Sequence, residues 1–271
     1  MENNYSKTAE IIKKWYIKLD FPKAYDEEFY KALSEIAIPE DITIENYDCD
    51  SQDGKRNLLS FLYFAEKLSM DYKAKSIPEN VLMGTLHDLV LWTNSWSEVK
   101  GELFLGELKW LRLHLTMHLF RIGRLQFARG KALHDVEKYD VKKGEPIMEI
   151  HIPADGAMPV DECRKSIEMA KDFFAEYYPD FEYRYFTCHS WLLDGTLKEY
   201  LKEGSNILEF RKLFDVIEDE DSYALLRYIF RWDTGIENLD RAVCTSSFSE
   251  KIKKAAMDGV KFHQSYGFIK K

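Results

Sequence analysis

The stretch at residues 146–193, PIMEIHIPADGAMPVDECRKSIEMAKDFFAEYYPDFEYRYFTCHSWLL, leaves the chain few ways to fold. Residues 147–152 alternate: Met148, Ile150 and Ile152 fall on one side, Glu149 and His151 on the other, which is the period of a strand. Pro153 ends that strand, and Asp155-Gly156 has the composition of a turn. In residues 160–177 the apolar residues Cys163, Ile167, Ala170, Phe174 and Tyr177 recur at helical spacing. Asp161 and Glu162 sit in the first turn, where the helix dipole favours acids, and Tyr178-Pro179-Asp180 stops the helix. Residues 183–193 are rich in aromatic and β-favouring types, as a central strand requires. The connection, about 30 residues, is long enough for a right-handed crossover joining parallel strands. In such units ligands bind beyond the carboxyl ends of the strands, here residues 153–159 and 188–194.

At 271 residues the chain can bury a large core and is expected to divide in two. Hydrophobic residues at 45% and aromatics at 14% mark a globular protein. A net charge of −9 argues against nucleic-acid binding through bulk charge. Cys49, Cys163, Cys188 and Cys244 are scattered without a C-x-x-C pair, so neither a zinc site nor a disulfide scaffold is expected, and a cytoplasmic setting is. The opening residues lack the apolar core of a signal peptide, and no apolar run approaches the roughly 18 residues of a membrane span.

Taken in order, residues 5–20 read as an amphipathic helix with Ile11, Ile12, Trp15, Tyr16 and Leu19 on one side. Residues 26–37, 57–72 and 78–94 are further helices, with an acidic connector at 38–54. Asp48, Asp50 and Asp53 in that connector lack the glutamate a calcium loop needs at its twelfth position, which is Leu59. Residues 103–119 carry leucines at helical intervals, and 120–127 switch to strand-like alternation, with Arg124 and Gln126 pointing together. A short strand is expected near 132–137. After the central unit come short helices at 194–201 and from Asn206, the second one capped by Ser205. A strand at 213–217, helices at 222–230 and 248–257, and a closing strand at 259–268 complete the chain. The fold class is α/β (α+β): a helical domain at 1–100, dividing near 95–103 from a mixed sheet of five to seven strands at 101–271.

This order of elements resembles the GNAT acyltransferase fold. The strings FRIGRLQF at 120–127, EIHIP at 149–153, FTCHSWLL at 186–193 and Ser205-Asn206-Ile207 resemble one branch of it more closely. That branch is a bacterial two-domain family pairing an N-acyltransferase-type helical N-terminal domain with a GNAT-like C-terminal domain. The resemblance covers nearly the whole chain and implies an acyl-CoA-dependent N-acyltransferase with coenzyme A or acyl-CoA as cofactor. Its acceptor would be an amine on a small molecule or peptide. One departure stands out. GNAT enzymes usually carry (R/Q)-x-x-G-x-(G/A) before the helix, whose amides hold the coenzyme A pyrophosphate. Here the equivalent is Ala154-Asp155-Gly156-Ala157-Met158-Pro159, with one glycine, no arginine and a carboxylate that would repel phosphate. A binding or sensory module that keeps the fold without catalysis therefore stays open beside the enzyme.

Acyl transfer from a thioester to an amine needs a base for the amine proton and donors to polarise the carbonyl. Glu149 and His151 share a face at the carboxyl end of the first strand, and either could be that base. They could equally be polar sheet-face residues. On the second strand Thr187, His189 and Trp191 share one face, with Cys188 and Ser190 on the other. If the strands lie side by side, His151 and His189 converge. Cys188 reads more readily as a small buried residue than as a nucleophile, and Ser190 lacks the G-x-S-x-G elbow. Ile152, Asp155, Gly156, Ala157 and Asn206 are the candidate cofactor contacts, Asn206 either to a pantetheine amide or merely starting a helix. His114 and His118 have metal spacing, but without H-E-x-x-H they suit a packed helix surface better, so no metal site is expected.

Overall fold

The computed structural model describes residues 4–271. The chain divides into two compact units, Met1–Arg121 and Ile122–Lys271.

The first unit is helical. Helix α1 (Asn4–Lys18) buries Ile12, Trp15 and Tyr16. The Tyr16 ring stacks on Phe29 of α2 (Asp26–Glu35), and the Trp15 indole N–H donates to Glu66 of α3 (Gly54–Ala74) at 2.7 Å. Asp53 caps α3 by accepting from the Arg56 N–H at 3.0 Å. Helix α4 (Glu79–Lys100) runs through the expected connector. The Thr93 and Ser95 hydroxyls donate to the carbonyls of Leu89 and Leu91 within the helix, so they do not compete with it. The break comes at Gly101, whose φ of 72° forms a left-handed C-cap.

The leucine spacing at 103–119 predicts one long helix, but only Leu108–Leu115 (α5) is helical. Residues 103–106 form an extended strap because distant groups take their backbone bonds. Leu103 N–H donates to Glu28, Phe104 N–H to Ser97 Oγ and Leu105 N–H to the Gly54 carbonyl, while Asn57 Nδ2 donates to the Leu105 carbonyl. Gly54 and Gly106 leave space that the rings of Phe104 and Trp96 occupy.

The second unit contributes β2 to β6 to a six-stranded mixed sheet in the order β1-β2-β3-β4-β6-β5. Residues 120–127, expected as a single strand, are a hairpin: β1 (Leu119–Ile122) and β2 (Leu125–Lys131) flank a two-residue turn in which Gly123 has φ 67°. Strand β3 (Pro146–His151) pairs antiparallel with β2 from Gln126 opposite His151 to Lys131 opposite Pro146. Helix α6 (Val160–Tyr177) has the bounds its spacing predicts, and β4 (Tyr185–Ser190) returns parallel to β3. The later elements are α7 (Asn206–Arg211), β5 (Asp215–Asp221), α8 (Leu225–Ile229), α9 (Ser247–Met257) and β6 (His263–Lys270). Strand β6 pairs antiparallel with both β4 and β5.

Two further local expectations fail. The strand near 132–137 is only an isolated bridge of Val136 with Val141 around a tight turn at Glu137–Tyr139. Ser205 precedes α7, but its hydroxyl makes no capping bond. Helix α6 lies on one face of the sheet: its Ser166 Oγ accepts from the Leu125 N–H at 3.0 Å, and the Arg129 guanidinium sits 4.1 Å above the Tyr178 ring. No helix among the described residues is long and apolar enough to cross a membrane.

Candidate functional site

Strand β3 is clamped along its length by β2, and β4 is clamped by β6 from Tyr185 opposite Lys270 to Ser190 opposite Ser265. Between β3 and β4 the pairing is short. It holds at Met148 opposite Phe186 and Glu149 opposite Thr187, although the strands continue to His151 and Ser190. The ladder therefore ends before the carboxyl ends of its two central strands, where a parallel sheet presents its ligand site.

This register puts Glu149, His151, Thr187 and His189 on one face. Glu149 Oε2 lies 3.5 Å from His151 Nε2, with the side chains 38% and 32% exposed. Gly130 on β2 makes room for the Glu149 carboxylate, which a Cβ there would overlap. His151 stands opposite Gln126, a fully buried amide, so Gln126 lies on the Glu149 face. His189 is 48% exposed, with Nε2 3.9 Å from Glu220. Its ring meets Tyr266 of β6 edge-on at 6.0 Å, and Tyr266 also meets His134 at 6.1 Å. Tyr266 has no local signal in the sequence; the signal for it is register, because it stands directly opposite His189.

Cys188 and Ser190 lie on the opposite face. Cys188 is buried, and burial pushes its thiol well above the ordinary range, which keeps it protonated and unreactive. Ser190 Oγ accepts from the Leu192 N–H at 3.2 Å, so the hydroxyl caps the tight turn after β4. Asn206 is exposed at the first position of α7, which packs against α6 and the turn at Trp191–Leu193.

The loop between β3 and α6 brings in a residue from elsewhere. Arg124, expected on a sheet face with Gln126, sits in the β1 to β2 turn. Its Nε donates to the Ala157 carbonyl at 2.8 Å, and its Nη2 donates to the carbonyls of Pro153 at 3.0 Å and Gly156 at 2.9 Å. Nη1 is 3.5 Å from the Asp155 carboxylate. The carboxylate expected to repel phosphate thus stands against a guanidinium. Ile152 is half-buried, Ala157 and Gly156 are exposed, and Gly156 has φ 154° in open space. Pro159 precedes α6 without a side-chain cap, so the first-turn amides of the helix stay outside its internal bonding.

The polar groups set aside in the helical unit have local partners. His114 is buried, with Nε2 2.9 Å from Asp88 and Nδ1 3.2 Å from the Trp110 carbonyl, and the Trp110 indole N–H donates to the same Asp88 oxygen. His118 lies beyond the end of α5, its Nδ1 3.0 Å from the Thr116 hydroxyl. Asp48 accepts from the Asp50 N–H, and Asp50 pairs with Lys109.

Residues 119–269 match the GNAT-like C-terminal domain and residues 13–117 the N-acyltransferase N-terminal domain. No curated protein matches the chain. Among solved structures, an acyltransferase in complex with decanoyl-CoA and teicoplanin is 20% identical, with a TM-score of 0.79 over 96% of this chain and 88% of that one. A mutant acyltransferase in complex with octanoyl-CoA is also 20% identical, with a TM-score of 0.78 over the same shares of the two chains. An acyltransferase in complex with decanoyl-CoA is 23% identical, with a TM-score of 0.69 over 94% of this chain and 82% of that one. The fold is therefore that of these acyltransferases. With both domain matches in sequence and the sheet, loop and helix arranged as described, the chain belongs to the two-domain family that joins an N-acyltransferase N-terminal domain to a GNAT-like C-terminal domain.

Proposed function

We propose that this protein transfers an acyl group from an acyl-CoA thioester to an amine on a small molecule or peptide. The observation that carries the reading is the early end of the β3 and β4 ladder beside the loop into α6. Beyond Glu149 and Thr187 the facing strand edges no longer bond each other. An extended amide-bearing arm such as pantetheine can take the place of a strand there. The donor's phosphates would lie toward residues 154–158 and the α6 amides, with Ile152, Gly156 and Ala157 offering backbone contacts. The solved acyltransferases of the same fold were crystallised with octanoyl-CoA, decanoyl-CoA or CoA.

The chemistry asked of the residues is modest. The amine lone pair attacks the thioester carbonyl, the C–S bond breaks, and the products are an amide and the coenzyme A thiol. The proton leaving the amine goes to Glu149 or His151, with His189 on the same face, and the protonated base then returns it to the departing thiolate. Cys188 and Ser190 have no part in this reading, and Asn206 is left to start α7. One solved acyltransferase of this fold is in complex with both decanoyl-CoA and teicoplanin, which leaves the acceptor used here undefined.

The test pairs binding with turnover. A ligand at a hundredfold excess over its Kd stabilises the native state by about 2.7 kcal/mol, so coenzyme A, acetyl-CoA, octanoyl-CoA and decanoyl-CoA are compared by thermal shift. Thiol release from the shifting donors is then followed with a panel of amines. Stabilisation together with amine-dependent thiol release is expected. Stabilisation without release under any amine favours a non-catalytic binding module, and no shift with any thioester overturns the acyl-donor reading.

A further inference from the structure

We infer that Arg124 is the positioning residue of the acyl-donor loop, holding residues 153–157 in the shape that turns their amides toward the donor phosphates. The inference rests on the acyl-donor reading above and adds to it a residue from outside the loop. Arginine carries five donors in a rigid planar fork. Here the fork reaches the carbonyls of Pro153, Gly156 and Ala157 within 3.0 Å. In a planar trans peptide the C=O of one residue and the N–H of the next point in opposite directions. With those three carbonyls turned to the guanidinium, the N–H groups of Ala154, Ala157 and Met158 point away from it. They lie beside the first turn of α6 on the side away from the fork, where backbone donors can meet an anion.

The arginine is itself held. Its turn is gripped by α6 through Ser166, whose Oγ accepts from the Leu125 N–H and whose hydroxyl donates to the Ile122 carbonyl. Gly123, at φ 67°, lets the hairpin reverse in two residues, so Arg124 projects from a fixed corner. The contacts close a circuit: α6 holds the turn, the turn holds the loop, and the loop leads back into α6. Arg124 and Asp155 are only 11% and 13% exposed, so bulk solvent is largely kept from the pair. The guanidinium also balances Asp155, the charge that would otherwise oppose a phosphate. An arginine absent from the loop in sequence is thus present at it in space.

The experiment uses the full chain and its Arg124→Ala, Arg124→Gln and Arg124→Lys variants. It reads Kd for coenzyme A, steady-state constants with decanoyl-CoA, melting temperature, and amide exchange at residues 153–159 without ligand. All three variants are expected to weaken coenzyme A at least about tenfold, since more than one charge-assisted bond is lost. KM for the donor should rise while kcat at saturating donor holds, because ground and transition states use the same loop. Loop amides should exchange faster with those of β4 and β6 unchanged. Lysine is expected to fail as alanine does, because one ammonium cannot meet three carbonyls in the plane of a fork. Wild-type Kd and loop protection in Arg124→Lys would overturn the proposal, leaving charge alone as the role, and unchanged loop exchange in Arg124→Ala would overturn it outright. If the unmodified chain binds no coenzyme A, the acyl-donor reading fails by itself, and the exchange comparison still decides whether Arg124 holds the loop.

Discussion

His151 and His189 present rings 32% and 48% exposed on one face of the sheet, so each can be removed without opening a core. His151→Ala and His189→Ala should each leave stability within about 0.5 kcal/mol by urea unfolding. Loss of the residue that serves as base should cut turnover roughly 10²-fold, and turnover intact in both variants would remove the histidines from the mechanism. Cys188 makes the opposite prediction. Burial raises its thiol and that of Cys163, the latter to about 11, so a thiol reagent near neutral pH should label both only after denaturation. Half-buried Cys244 should label in the native protein; rapid native labelling of Cys188 would contradict its burial. Asp155 offsets the charge of Arg124 at the loop, and neutralising it leaves the guanidinium uncompensated. Asp155→Asn should tighten coenzyme A by about 1 kcal/mol at low salt, where screening is least, and weaken a cationic ligand instead. An unchanged coenzyme A affinity would place the phosphates elsewhere.

At the scale of elements, α4 and α5 are tied by one buried polar knot. Asp88 accepts from the Trp110 indole and pairs with His114, and the Asp88 and His114 side chains are almost wholly enclosed. Asp88→Ala should destabilise the protein by about 3 kcal/mol, because it strands buried partners; a loss under about 1 kcal/mol by chemical unfolding would show the knot to be incidental. What could be read from sequence follows from how local each cause is. Helix α6 and strand β3 announce themselves because their periods are internal, and period alone put Glu149 with His151 and Thr187 with His189. The strap at 103–106 could not be read, since its donors and acceptors come from Glu28, Gly54, Asn57 and Ser97. The β1 to β2 hairpin was hidden for another reason: a two-residue turn leaves an alternating pattern in phase, and only Gly123 betrays it. The same turn takes Arg124 off the sheet face, and its tie to a loop some thirty residues away has no trace in any local pattern.

At the scale of the whole molecule, the compact unit Met1–Arg121 includes the strap and α5, which bury Leu105, Leu108 and Leu111 and give the buried Asn57 a carbonyl partner. A fragment of residues 1–121 should therefore unfold cooperatively in urea with native near-ultraviolet dichroism. A fragment ending at residue 100 should lose both features, and equal cooperativity in the two would show that the strap and α5 are dispensable. In the second unit, β2 and β3 are stitched along their length, as are β4, β6 and β5, while the seam between β3 and β4 is stitched only at two positions. A sheet so built should flex along that seam as a book does along its spine, with amides of β3 and β4 exchanging faster there than those of β2 and β6. On the proposed reading, admission of an acyl-CoA needs no lid: the leaves part, the pantetheine arm enters between them, and its amides supply the missing stitching. Arrival should be paced by the breathing of the spine, and the sheet should be stiffest when loaded.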